Sequence, residues 1–128
     1  MNINNIYMAV ISPLQSFTLC PVQYDNQDIG AQDEYIDVMF DPSGIMSYTK
    51  SEYIENEVSL DINCYSVQNS GFRSRNDVIL QSLFSLYEPC STIIYNGTSL
   101  RVIGINYNAG VLIDNYYSSS ITINIGIR

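Results

Sequence analysis

The chain contains no histidine and no tryptophan in 128 residues. Without histidine it lacks the side chain that most often serves as general base or activates a serine or cysteine nucleophile near neutral pH. No CxxC pair, Gly-rich phosphate loop or cluster of metal-ligand residues occurs, so the usual signatures of zinc, redox and nucleotide sites are missing. Charge is also scarce. Asp, Glu, Lys and Arg make up 14% of the chain, against roughly a quarter in an ordinary soluble domain. Positive charge is scarcest, with five basic residues against thirteen acidic ones and a net charge of −8. Sequence-independent binding of nucleic acid needs a basic surface to neutralise phosphates, so a DNA grip is not expected. A surface that repels DNA and lets it slide past remains compatible with this charge.

Cysteine is sparse and odd in number. Cys20, Cys64 and Cys90 are widely spaced, which argues against a disulfide framework and fits a reducing compartment. No apolar run is long enough for a transmembrane helix. The first basic residue is Lys50, so the N-terminus lacks the positive segment of a secretory signal. The expectation is a protein that is cytosolic when made and has no membrane partner.

What is present is apolar and polar-neutral. Hydrophobic residues make up 46% of the chain, and there are eleven tyrosines. This is enough for one globular domain spanning residues 1–128 without staples. Surface polarity must come from Asn, Ser, Thr, Gln and Tyr. Such side chains are cheaper to bury at an interface than Lys or Glu, and Tyr is enriched there. An AT-rich coding sequence would give the same bias, and the two explanations are compatible.

Periodicity sets the expected elements. Ile3, Ile6, Tyr7, Val10, Ile11 and Leu14 recur at steps of three and four, predicting an amphipathic helix within Asn2–Phe17 that Pro13 ends or kinks near Ser12. Leu19–Tyr24 reads as a short extended piece and Asn26–Gln32 as a loop. Glu34–Phe40 alternates as a strand closed by a turn at Asp41-Pro42-Ser43-Gly44. Ile45–Asn56 fits a strand extension or a long loop. Glu57–Val67 is the clearest strand, with Val58, Leu60, Ile62 and Cys64 on one side and Ser59, Asp61 and Asn63 on the other. Ser74-x-x-Asp77 resembles a capping arrangement for a second helix over about 75–87, stopped at Glu88-Pro89. Thr92–Tyr95 and Thr98–Asn106 flank Asn96-Gly97, a hairpin signal. Val111–Asp114 and Ser119–Arg128 are the last strands. The fold class is therefore α+β, a single domain with a mostly antiparallel sheet and both helices on one face.

Asp37 and Asp61 carry carboxylates on strands near Glu34 and Glu57, but nothing in the spacing brings them together, and solvated strand faces explain them. Asp25-Asn26-Gln27-Asp28 with Gly30 resembles a calcium loop without its alternating ligands or closing Glu. Ser47 precedes Lys50 by three residues, in a stretch with no helix signal, and reads as a chance match. Arg73 and Arg75 flank Ser74 at a helix start. They suit either an anion or a salt bridge, and an inter-subunit salt bridge is the expectation preferred here. With Met46, Tyr48 and Tyr53 they form the expected subunit interface. No catalytic residue, cofactor or metal ligand is expected, and the chain is not expected to be an enzyme.

The order of motifs resembles a known family. Pro21-Val22-Gln23-Tyr24-Asp25-Asn26 precedes Tyr35-Ile36-Asp37-Val38-Met39-Phe40-Asp41-Pro42. Val58-Ser59-Leu60-Asp61-Ile62-Asn63 leads into the helix from Asn76 to Tyr87, and a β-rich tail closes with Tyr116 and Ile121–Arg128. This is similar to the tail terminator, or tail completion, proteins of long-tailed bacteriophages, over about Ile3 to Arg128. The resemblance implies a structural virion protein located in the tail or neck. It implies a homo-oligomeric ring, commonly a hexamer, that caps the last ring of tail tube protein and docks to the head–tail connector or stopper. Double-stranded DNA would pass through the lumen without specific binding, and acidic strand faces and loops are expected to line it. A connector stopper or another tube-like ring component is the alternative, with a small ligand-binding module as a third reading.

Overall fold

The structure is a computed structural model. It describes residues 3–30, 32–42, 56–67, 72–113 and 116–127, with the backbone alone at 72–74, 109 and 113. Helix α1 spans Ile3–Ile11 and passes directly into a 3-10 turn, Ser12–Ser16. Pro13 causes this change, because it cannot donate the backbone N–H that a continuing α-helix needs. Strand β1 is Val22–Tyr24, β2 is Glu34–Asp41 and β3 is Glu57–Val67. Helix α2 is Phe72–Leu86, followed by β4 at Thr92–Tyr95, β5 at Thr98–Ile113 and β6 at Tyr116–Ile127.

The six strands form one sheet in the order β1-β2-β3-β6-β5-β4. All neighbours are antiparallel except β1 and β2, which run parallel with Val22 opposite Ile36. The fold is α+β, as the alternation in β3 and the two amphipathic stretches implied. Direct pairing carries single rows of side chains across the sheet. Phe40, Leu60, Ile123 and Ile105 form one such row, and Val38, Ile62, Ile121 and Tyr107 form the next.

These rows face the helices, and all their members but Tyr107 belong to the core or pack against it. Ile36, Leu60, Ile62, Cys64, Ile121, Ile123 and Ile125 are buried beneath Val10 and Leu14 from the N-terminal segment and Ile79, Leu83 and Tyr87 from α2. Each fully buried side chain of this size stabilises the fold by about 1.5–3 kcal/mol relative to exposure. Two carbonyls at the end of α1 accept from side chains, beside Pro13, which offers no backbone N–H. The Ser12 hydroxyl donates to Ala9 O at 2.7 Å, and the Tyr87 phenol donates to Val10 O at 2.7 Å. The second bond ties the N-terminal joint to the end of α2.

Several expectations are corrected. Helix α2 begins at Phe72, so Ser74 lies within its first turn and does not cap it. Ile45–Asn56 lies almost wholly outside the described residues. The break expected between Asn106 and Val111 is absent, because β6 supplies a continuous ladder and β5 absorbs its irregularities as two bulges. One lies between Val102 and Gly104 and the other between Asn108 and Val111. At the second bulge the Tyr117 ring occupies the space a Cβ on Gly110 would take, so a larger residue there would displace that ring. Strand β6 starts at Tyr116 and not at Ser119. Its polar start is stabilised by Asn76, which fills the space between α2 and the sheet. The Asn76 amide donates to Cys64 O and Sγ and to Ser66 Oγ, and it accepts from the Ser119 hydroxyl. The Asn96-Gly97 turn forms as expected, with φ of 47° and 80°.

Candidate functional site

The face of the sheet turned away from the helices carries the remaining polar side chains. Strand alternation alone dictates its membership. From β2 come Tyr35, Asp37, Met39 and Asp41, and from β3 Glu57, Ser59, Asp61, Asn63 and Tyr65. Tyr116, Ser118, Ser120, Thr122 and Asn124 lie opposite on β6, and Arg101, Asn106 and Asn108 on β5. Among its described members this face holds four carboxylates and one cation, Arg101. The centre of the face is tied together by side chains: Thr122 donates to Asp61 at 2.8 Å and Asn108 to Ser120 at 3.2 Å.

One end of this face is aromatic. Tyr35 and Tyr65 stack with ring centroids 4.9 Å apart, and Tyr116 stands edge-on to both at 5.9 and 6.2 Å. The Tyr116 phenol donates to Gln32 O at 3.0 Å. Partial burial raises the Tyr35 and Tyr65 phenols above their ordinary range, with neighbouring tyrosines and Asp37 adding to the effect at Tyr35. Both therefore stay neutral at physiological pH. The cluster is a neutral, partly exposed aromatic platform beside a carboxylate-bearing field, the composition that anchors protein interfaces.

Asp37 is the one buried carboxylate of the face, at 3% exposure. Its Oδ1 accepts from Gln23 Nε2 and from the Asn26 backbone N–H, each at 3.2 Å. These bonds hold the turn after β1, where Asp25 and Asn26 adopt left-handed backbone angles. Asp28 Oδ1 accepts from Gly30 N at 2.7 Å. The segment that resembled a calcium loop is thus a turn built on side-chain-to-backbone bonds. Asp37 and Asp61 share the face, but each is held by a different partner, and no paired acid–base geometry results.

Arg75 has its partners within the chain. Its guanidinium forms a forked pair with Glu34, at 2.8–3.1 Å, and donates to Leu19 O at 2.8 Å. These bonds make Arg75 an intrachain strut joining α2, β2 and the segment before β1. Glu34 became its partner because β2 starts beside the first turn of α2, an adjacency that sequence spacing does not show. Arg73 lies in the same helical turn, and its side chain is outside the described residues. Met46, Tyr48 and Tyr53 are also outside them, as are Ser47 and Lys50. The strut sits by Cys20 and Cys64. Burial pushes the Cys20 thiol up to about 12, with Glu34 adding to it and Arg75 opposing, and burial raises Cys64 as well. Both thiols stay protonated and are poor nucleophiles.

Two further surface features were not visible in the sequence. An open groove of about 460 Å³ is lined by Ile3, Asn4, Tyr7, Asp25, Phe40 and Pro42, where Tyr7 and Phe40 rings lie 5.4 Å apart. Beyond Val102, β5 has no strand on its outer side among the described residues, since β4 pairs only with Thr98–Arg101. Tyr107, Val111 and Leu112 are 50–62% exposed along this edge. Among the described residues no group of three or more metal-ligating side chains gathers, and no helix is long and apolar enough to cross a membrane.

No family model and no curated protein sequence matches the chain. Its likeness is to solved structures, of which sixteen chains match. One of them, with no functional description, superposes with a TM-score of 0.79 at 18% identity, over 100% of this chain and 96% of its own length. At that identity the chain shares the α+β fold of this structure.

Proposed function

We propose that the chain is a structural subunit of a homo-oligomeric ring at the head-proximal end of a phage tail, where it ends tube growth and joins tail to head connector. The observation that carries this reading is the two-sided sheet. One face is closed by α1 and α2. The other presents Asp37, Asp41, Glu57 and Asp61 with hydroxyls and amides, countered only by Arg101 among its described members. Six copies arranged with this face inward would line a channel with carboxylates, amides and hydroxyls. Like-charged walls do not hold the phosphate backbone, so a duplex could slide through. The tyrosine platform at one end of the same face gives a neutral anchor for an axial neighbour, such as a tail tube ring.

Ring closure requires two different complementary patches on each subunit. The groove at Ile3, Tyr7 and Phe40, which Asp25 also lines, and the hydrophobic β5 margin supply two surfaces of different shape. The element order also fits the tail terminator resemblance: an N-terminal helix, a strand pair, a strand-then-helix unit and terminal hairpins. The test is a tube-assembly reaction. Adding the chain to polymerising tail tube subunits should give short tubes capped at one end and leave unpolymerised subunits unbound. Tubes of unchanged length with no cap density would refute the reading, and incorporation along the whole tube would favour a tube-like ring component instead.

A further inference from the structure

We infer that the tyrosine end of the polar sheet face receives an arginine from a partner's basic segment, with the guanidinium lying on the Tyr35–Tyr65 rings and its charge met by Asp28. Under the ring reading, on which this assignment rests for the source of the segment, the partner is the axial neighbour. Tyr35 and Tyr65 are direct cross-strand partners on β2 and β3. Their rings stack with planes 21° apart, and Tyr116 stands nearly perpendicular to both, at 83° and 84°. Tyr35 and Tyr65 are half-buried, so the stack is braced and still meets solvent. The face of an aromatic ring is partly negative and attracts a cation placed over it.

Carboxylates flank these rings. Asp37 is the next residue on the same side of β2, about 7 Å along the strand. Asp28 lies on the loop between β1 and β2. Burial raises the Tyr35 phenol first, and the neighbouring tyrosines, Asp37 and Asp28 add to it. Both carboxylates are therefore within electrostatic reach of that ring. Asp28 is exposed, and its Oδ1 accepts from Gly30 N at 2.7 Å. The bond from the Tyr116 phenol to Gln32 O ties the same loop to the rings. Asp28 is thus held in place before a partner arrives, which lowers the ordering cost of binding.

Charge complementarity selects a cation as the occupant. The one described cation of this face, Arg101, lies in the row of Gly126 and Glu57. Tyr65 is eight residues further along β3, roughly 27 Å away at about 3.4 Å per residue. That is more than three screening lengths of about 8 Å at physiological salt, so Arg101 does not neutralise the tyrosine end. An acidic segment would be repelled there, and an apolar one would strip water from Asp28 without giving it a partner. Arginine fits better than lysine. Its planar guanidinium stacks on aromatic faces, is weakly hydrated and can give a carboxylate two parallel N–H bonds. Tyrosine and arginine are also the residue types in which interface binding energy concentrates.

The test is calorimetric titration of the full chain with the peptide acetyl-Gly-Arg-Gly-Arg-Gly-amide at low salt. Saturable binding is expected, and the matching lysine peptide should bind about threefold more weakly or worse. Tyr65→Leu keeps apolar bulk and removes a ring face. Asp28→Asn removes the charge and keeps an oxygen for Gly30 N. Each should weaken binding of the arginine peptide about fivefold or more, with the wild-type far-ultraviolet spectrum. Asp77→Asn, on the exposed side of α2, should change it less than about twofold. Equal losses from Asp28→Asn and Asp77→Asn would reduce the attraction to net charge and overturn the inference. Wild-type binding by Tyr65→Leu, or a Gly-Pro-Gly-Pro-Gly peptide that binds as tightly as the arginine one, would overturn it too. Tail tubes capped equally well by the wild type and by Tyr65→Leu would refute the arginine site and leave the ring reading intact. A chain that binds the arginine peptide as expected and never caps tubes would do the reverse.

Discussion

Replacing Tyr87 with phenylalanine should cost about 1–3 kcal/mol, a large effect for one oxygen atom. Tyr87 is fully buried, and its phenol donates to Val10 O at 2.7 Å. That carbonyl belongs to the last turn of α1, where carbonyls lack ordinary intrahelical partners. The 3-10 turn that follows would normally supply the N–H of residue 13, but residue 13 is proline. Removing the phenol leaves a buried acceptor without this donor, and the penalty is the desolvation cost of the carbonyl and not merely the net worth of one bond. With a urea slope of about 2 kcal/mol per molar, a 2 kcal/mol loss moves the midpoint down by about 1 M and leaves the slope unchanged. The double mutant tests the cause. Pro13→Ala restores an N–H beside Val10 O, so Tyr87→Phe should cost less in that background than in the wild type. A cost below about 0.5 kcal/mol, or an identical cost in both backgrounds, would refute the reasoning.

The Arg75–Glu34 pair is partly exposed, at 40% and 28% for the two side chains. Glu34→Gln should therefore lower stability by at most about 1 kcal/mol, less at high salt, and leave the oligomeric state unchanged by sedimentation. Asn76→Ala removes the partner shared by Ser66, Ser119 and Cys64 and should cost about 3 kcal/mol or more in urea unfolding, since several buried polar groups lose a bond together. Stability should be flat through neutral pH and fall in alkali. Burial raises Cys64 and Tyr87 above their ordinary values of 9.0 and 10.0. Above those values the unfolded chain loses protons that the folded chain keeps. Each such group then removes about 1.4 kcal/mol per pH unit until its folded form also ionises. Urea midpoints measured from pH 7 to 11 check this, and Cys64→Ala should make the alkaline slope shallower.

The sequence carried much of the fold because the core is built from strict periods. In β3, Val58, Leu60, Ile62 and Cys64 alternate with polar residues and are all buried. The Asn96-Gly97 turn needs two positive φ angles, which those residues adopt readily. Elements were misjudged where tertiary contacts outweighed local signals. Asn108-Ala109-Gly110 looks like a turn, but β6 pairs across it and the Tyr117 ring fills the glycine gap. Tyr116, Tyr117 and Ser118 lie before the strand that alternation predicts from Ser119, yet they pair with β3 as the start of β6. The same limit applies to the candidate surface. Alternation placed Asp37 and Asp61 on the polar face, but not the turn that covers Asp37 or the convergence of Tyr35, Tyr65 and Tyr116 from three strands. Arg75 was picked out as a pairing arginine, and its partner was missed because the pairing of β2 with β3 that sets Glu34 beside α2 leaves no mark on spacing.

Single-particle electron microscopy of the purified chain tests the central claim most directly. The account predicts closed rings, with the sheet face bearing Asp37, Asp61 and Tyr65 turned toward an open lumen and the helices outside. Particles no larger than a dimer at every concentration, or rings whose lumen is lined by α1 and α2, would contradict it.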